Sequence, residues 1–68
     1  MKNLKQGKQA RLARIARDLT QLQLARAVGL HPSRLSLIEN DLIEPKPAEA
    51  RRLNAVLGDE VFPVEVSK

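Results

Sequence analysis

Apolar residues recur along this chain at helical spacing. Leu12, Ile15, Ala16 and Leu19 stand at i, i+3, i+4 and i+7, which predicts a helix from Lys8 with that stripe turned inward. Gly7 interrupts any helix starting at Asn3, so residues 1–7 read as an arm or a frayed first turn. Between Thr20 and Asn40 the pattern resolves into two short helices joined by a tight turn. Thr20 and Gln23 have capping-box spacing, and Leu24, Ala25 and Val28 form an apolar stripe behind them. Gly29 suits the left-handed conformation that ends a helix, and Pro32 suits the first turn of the next. Leu35 and Ile38 face inward on that second helix and leave Ser33, Arg34, Ser36 and Leu37 outside.

Asp41 to Lys46 is a loop whose end is set by Pro45 and Pro47. A further helix is predicted from Pro47 to Leu57, with Ala50, Leu53 and Leu57 inward and Arg51, Arg52 and Asn54 outward. Lys46 at its cap position supplies no acceptor, so this start is poorly capped. After Gly58 there is room for one more turn at most. Phe62, Val64 and Val66 then alternate with Pro63, Glu65 and Ser67 in a weak strand pattern that Pro63 confines to an edge.

Sixty-eight residues make one domain, close to the lower limit for a core without staples. No cysteine is present and Phe62 is the only aromatic residue, so the core is aliphatic and neither a disulfide nor a thiolate metal site exists. No apolar run is long enough to span a bilayer, and no signal-peptide stretch opens the chain. A cytoplasmic protein is expected. The net charge of +4 is unevenly spread. Residues 1–34 carry eight lysines and arginines against Asp18 alone, whereas residues 35–68 carry four against seven acids. A basic half beside an acidic half favours a polyanionic partner.

Two short helices with a glycine turn and a polar outer face on the second have the layout of a DNA-reading helix-turn-helix. Leu19-Thr20-Gln21, Leu24-Ala25, Val28-Gly29 and Ile38-Glu39-Asn40 stand at the spacings of the Cro and phage-repressor type, and Arg14-Ile15 and Leu53 to Gly58 also fit. The chain therefore resembles the XRE, or lambda-repressor-like, helix-turn-helix family. The resemblance implies an all-α domain of four to five helices filling residues 1–68, with an arm at 1–7, the helix-turn-helix at 20–40 and a tail at 59–68. Many relatives carry a glycine and basic residues after the Ile-Glu-Asn. Here Asp41, Leu42, Ile43 and Glu44 stand instead, which removes expected phosphate contacts. Leu42 and Ile43 are expected under the loop or at an interface.

The same resemblance assigns roles. Arg14 would pair with Glu39, joining the first helix to the end of the third; flanked by core positions, Arg14 needs such a partner, because an unpaired buried charge is costly. Gln21, at the start of the second helix, matches a phosphate-binding position. Asn40 either meets another phosphate or caps its helix. Base readout falls to Ser33, Arg34 and Leu37, with His31 and Pro32 at the helix tip. Arginine can donate twice to guanine, serine can donate or accept, and leucine can touch a thymine methyl, unless Leu37 wedges into the core. Lys5 and Lys8 can reach a phosphate or a groove edge.

Catalysis has little to work with. His31 is the sole histidine and the three glycines are isolated, so no paired-histidine metal site or phosphate loop is available. Neither enzyme activity nor a cofactor or metal is expected. The reading is a transcriptional regulator, expected to be a repressor, that binds double-stranded DNA as a homodimer. The Val61–Val66 segment, with Phe62, Val64 and Val66 on one side and with Leu42 and Ile43 beside it, is the candidate for the dimer contact, unless Phe62 folds back onto Leu53 and Leu57. Two alternatives use the same fold. One is an antitoxin that represses its own operon and has a toxin partner; the other is a protein-interaction module without DNA binding.

Overall fold

The computed structural model describes residues 5–58 and 60–63. Its described residues form four α-helices: α1 (Gln6–Ala16), α2 (Gln21–Val28), α3 (Pro32–Glu39) and α4 (Pro47–Leu57). No strand occurs among them. The weak strand pattern therefore has no counterpart at Val61 to Pro63, and Val64 and Val66 lie outside the described residues.

Helix starts follow local chemistry. The Thr20 hydroxyl accepts from the Gln23 N–H at 3.0 Å, and the Gln23 side chain accepts from the Thr20 N–H at 2.8 Å. This is a complete capping box. The α3 cap is the imidazole of His31, whose Nδ1 accepts from the Ser33 N–H at 3.2 Å, and Pro32 fills the first position. Lys46 indeed offers no acceptor to α4. Glu49 compensates by accepting the Lys46 N–H at 2.8 Å.

Three helices end alike. After α2, the Leu30 N–H reaches the Ala25 carbonyl at 2.9 Å while Gly29, at φ 70°, turns left-handed. After α1 and α3 the same closing bond runs from Leu19 to Arg14 and from Leu42 to Leu37. Aspartates hold the left-handed place there, Asp18 at φ 58° and Asp41 at φ 61°. These are Schellman closures, in which aspartate is tolerated more readily than a branched residue.

The core consists of Ala10, Leu24, Ala25, Val28, Leu30, Leu35, Ile38, Ala50, Leu53, Leu57, Val61 and Phe62. In it α3 packs against α1 and α2, and α4 packs against α2 and α1. The five inward positions expected on α2 and α3 (Leu24, Ala25, Val28, Leu35 and Ile38) and the three on α4 (Ala50, Leu53 and Leu57) are all buried, and Leu37 lies 41% exposed outside the core.

The first helix departs from expectation. It begins at Gln6, includes Gly7, and buries Gly7, Ala10 and Arg14. Leu12 and Ile15 are 48% and 49% exposed, and Ala16 is exposed too. At 100° per residue, the leucine-isoleucine stripe lies on nearly the opposite side of the helix from the buried one. Close approach selects the small-residue side. A methyl added at Gly7 would collide with the Ile38 carbonyl and lie 2.7 Å from Asp41 Oδ1. Gly7 is thus the contact point between α1 and α3, not a break.

The tail also differs. Val61 and Phe62 are buried in the chain's own core. Asn54 clamps the Phe62 backbone, accepting its N–H at 3.0 Å and donating to its carbonyl at 2.8 Å. Both side chains belong to their own chain's core, with Phe62 folded back as in the alternative to a tail contact, and Asn54 is half-buried where an outward residue was expected. Ile43 packs against the core, while Leu42 is 69% exposed and does not pack under the loop.

Candidate nucleic-acid interface

A helix can read a groove only if its inner side is fixed, because base contacts tolerate little displacement. The inner side of α3 is fixed by a polar network at its C-terminal end. Arg14 donates from Nε to Glu39 Oε2 at 2.9 Å and from Nη2 to Glu39 Oε1 at 3.2 Å. Its Nη1 donates to the Leu19 carbonyl at 2.8 Å, and the Gln21 amide donates to Glu39 Oε1 at 3.0 Å. Arg14 and Glu39 are 9% and 4% exposed. Among the described residues no buried side-chain polar atom lacks a partner, which is the condition under which a buried charge pair is tolerated. The network joins α1, the start of α2 and the end of α3.

Gln21 therefore spends its side-chain amide on Glu39. The Gln21 and Leu22 N–H groups at the start of α2 have no protein acceptor among the described residues. They carry the positive end of the helix dipole.

The outer side of α3 presents Ser33 and Leu37, one turn apart, both exposed. His31 is exposed at the tip, where the Ser33 hydroxyl lies 2.7 Å from its Nδ1; Pro32 beside it is half-buried. Asn40 is exposed and donates to the Ser36 hydroxyl at 3.4 Å. Lys8 is exposed on α1. Lys5 shares a shallow depression with Gln6, Asp41 and Glu44.

Arg34 is not free. Its Nε and Nη2 donate to Glu49 Oε2 and Oε1 at 2.8 and 2.9 Å, a two-point ion pair between α3 and α4. The pair pushes the Arg34 guanidinium further up in pKa. It holds the Glu49 carboxyl below the usual range against the opposing effect of burial, with help from the Lys46 N–H.

Two contacts beside this face have little signal in the sequence. One is Glu49, whose only local signal was its place three residues after Lys46. The other is Asp41, which accepts the Gly7 N–H at 2.8 Å and so caps α1 from the far end of α3. The acid that replaces the usual glycine faces a helix start, where negative charge is favourable.

This arrangement, a buttressed helix with an exposed short-side-chain face behind a capped turn, is a helix-turn-helix module. The chain belongs to the helix-turn-helix family of the XRE or lambda-repressor type: a family model described as helix-turn-helix matches residues 11–60. That makes it a DNA-binding regulator in class, with DNA as its partner. No curated protein and no solved structure matches the chain. No helix among the described residues is long and apolar enough to cross a membrane.

Proposed function

We propose that this protein is a sequence-specific repressor that inserts α3 into the major groove of double-stranded DNA. The observation that carries the reading is the division of α3 into two sides. Leu35, Ile38 and Glu39 are buried and locked, while Ser33 and Leu37 are exposed with no role in the core. In this reading Ser33, Leu37 and Arg34 meet base edges, with His31 and Pro32 at the tip. The Gln21 backbone and Asn40 meet phosphates, with Lys5 and Lys8 adding charge at the flank. Phosphate contacts set register and base contacts set sequence.

One domain covers one half-site. Two copies about a two-fold axis would place their α3 helices about 34 Å apart, one turn of DNA. An acidic Asp41–Glu44 loop where phosphate contacts are expected favours an interaction module without DNA binding. With the Asp41 carboxylate spent on Gly7, that support weakens. A gel shift with genomic fragments over a salt series tests the proposal. Specific fragments should be retained with log affinity falling linearly against log salt. Absence of any shift at low salt would refute DNA binding. A shift without preference among fragments would refute the repressor reading.

A further inference from the structure

We infer that Glu49 is a specificity-determining positioning residue: it holds Arg34 by one edge of the guanidinium so that the other edge faces the nucleic acid. The inference rests on the DNA-binding reading above and deepens it. A guanidinium has five N–H donors in a rigid plane. Glu49 engages the side edge, taking the Nε and one Nη2 proton. The end edge, one N–H from each Nη, keeps no protein partner among the described residues. That edge matches the paired acceptors O6 and N7 of guanine.

The carboxylate itself is held. Its Oε1 also accepts the Lys46 N–H at 2.8 Å, and Glu49 is half-buried at the start of α4. The chain thus runs from a helix start, through a fixed carboxylate, to an arginine two-thirds covered on α3. A free arginine would sample many rotamers and settle on any phosphate. A tethered one offers a single plane in a single place. The negative charge of Glu49 adds a second effect, cancelling a cation that would otherwise strengthen binding to every sequence. Specificity here is a difference between affinities, and weakening the wrong complexes raises it as surely as strengthening the right one.

Glu49→Gln tests this. Glutamine still accepts the Lys46 N–H, as it does in capping boxes, so α4 keeps its start while the charge and one of the two arginine contacts are lost. Binding-site selection on random DNA should show preference at one base pair per half-site relaxed on the order of tenfold, with other positions unchanged. The slope of log affinity against log salt should steepen by up to about 0.9. In an Arg34→Ala background the same substitution should leave the selected motif as it was. A second measurement needs no variant: the Arg34 Nε–H resonance of the parent protein should stay protected from exchange, both free and on its operator. An unchanged motif for Glu49→Gln, an equal change in the Arg34→Ala background, or loss of Nε–H protection on binding overturns the inference. Each of these leaves DNA binding intact. A parent protein that binds no DNA removes the reading beneath it.

Discussion

Removing the carboxylate of Glu39 is the sharpest perturbation of the fold. Glu39→Ala leaves the Arg14 guanidinium with the Leu19 carbonyl as its remaining partner, in a site where its side chain is 11% exposed. The Gln21 amide loses its acceptor as well. Breaking a buried pair from one side costs about 3–5 kcal/mol. A chain of 68 residues has roughly 3–10 kcal/mol of total stability, so this single change brings it close to unfolding at room temperature. In a domain of this size each kcal/mol moves Tm by about 4–8 °C, and a loss of 3 corresponds to roughly 12–24 °C. Arg14→Met should cost as much. The double variant Arg14→Met/Glu39→Ala should recover much of the loss, because neither charge is then stranded. It falls short of the parent by about 1–3 kcal/mol, since the Leu19 carbonyl stays unpaired. Urea unfolding of the four proteins, followed by circular dichroism, gives the cycle. Additive losses, or a single-variant loss below about 1 kcal/mol, would refute a buried, mutually dependent pair.

Gly7→Ala, which would be stabilising in an ordinary exposed helix, should instead cost about 1–3 kcal/mol by urea denaturation, because the methyl meets the Ile38 carbonyl and the Asp41 carboxylate. Phe62→Ala should cost about 3–5 kcal/mol and leave the sedimentation mass unchanged, since the ring is buried within its own chain. The Glu49 carboxyl is depressed by its hydrogen bonds from Arg34. Its contribution is therefore full above the ordinary glutamate range and lost as pH falls through the depressed folded value. The urea midpoint should drop over that acidic window, and the drop should be smaller in Glu49→Gln.

The helix-turn-helix was legible because its signals are local. Thr20 with Gln23, Gly29, and Pro32 each act within a few residues, and the short apolar stripes between them leave little freedom. The Arg14–Glu39 pair followed from the family resemblance, since no spacing rule links residues 25 apart. The orientation of α1 was illegible for a physical reason. Leu12, Ile15 and Leu19 make a valid stripe, whereas Gly7 and Ala10 carry little hydrophobic signal, yet small residues are what allow two helices to approach closely. The tethering of Arg34 by Glu49 and the capping of α1 by Asp41 depend on how elements meet, 15 and 34 residues apart. The same holds for Phe62. A lone aromatic near the end of a basic chain reads equally well as an exposed anchor or a core plug, and the Asn54 clamp decides between them.

The central claim is that the exposed side of α3 reads bases while the start of α2 holds the backbone. Binding-site selection on random DNA with the parent, Leu37→Ala, Ser33→Ala and Gln21→Ala tests it most directly. The parent should return a motif with two half-sites about 34 Å apart. Leu37→Ala and Ser33→Ala should each relax one position within the half-site, by about 1–3 kcal/mol at most. Gln21→Ala keeps the backbone N–H but loses the bond to Glu39 that fixes the start of α2, so it should return the parent motif with weaker binding to every sequence. Parent motifs from both α3 variants, or a motif altered by Gln21→Ala alone, would contradict the account.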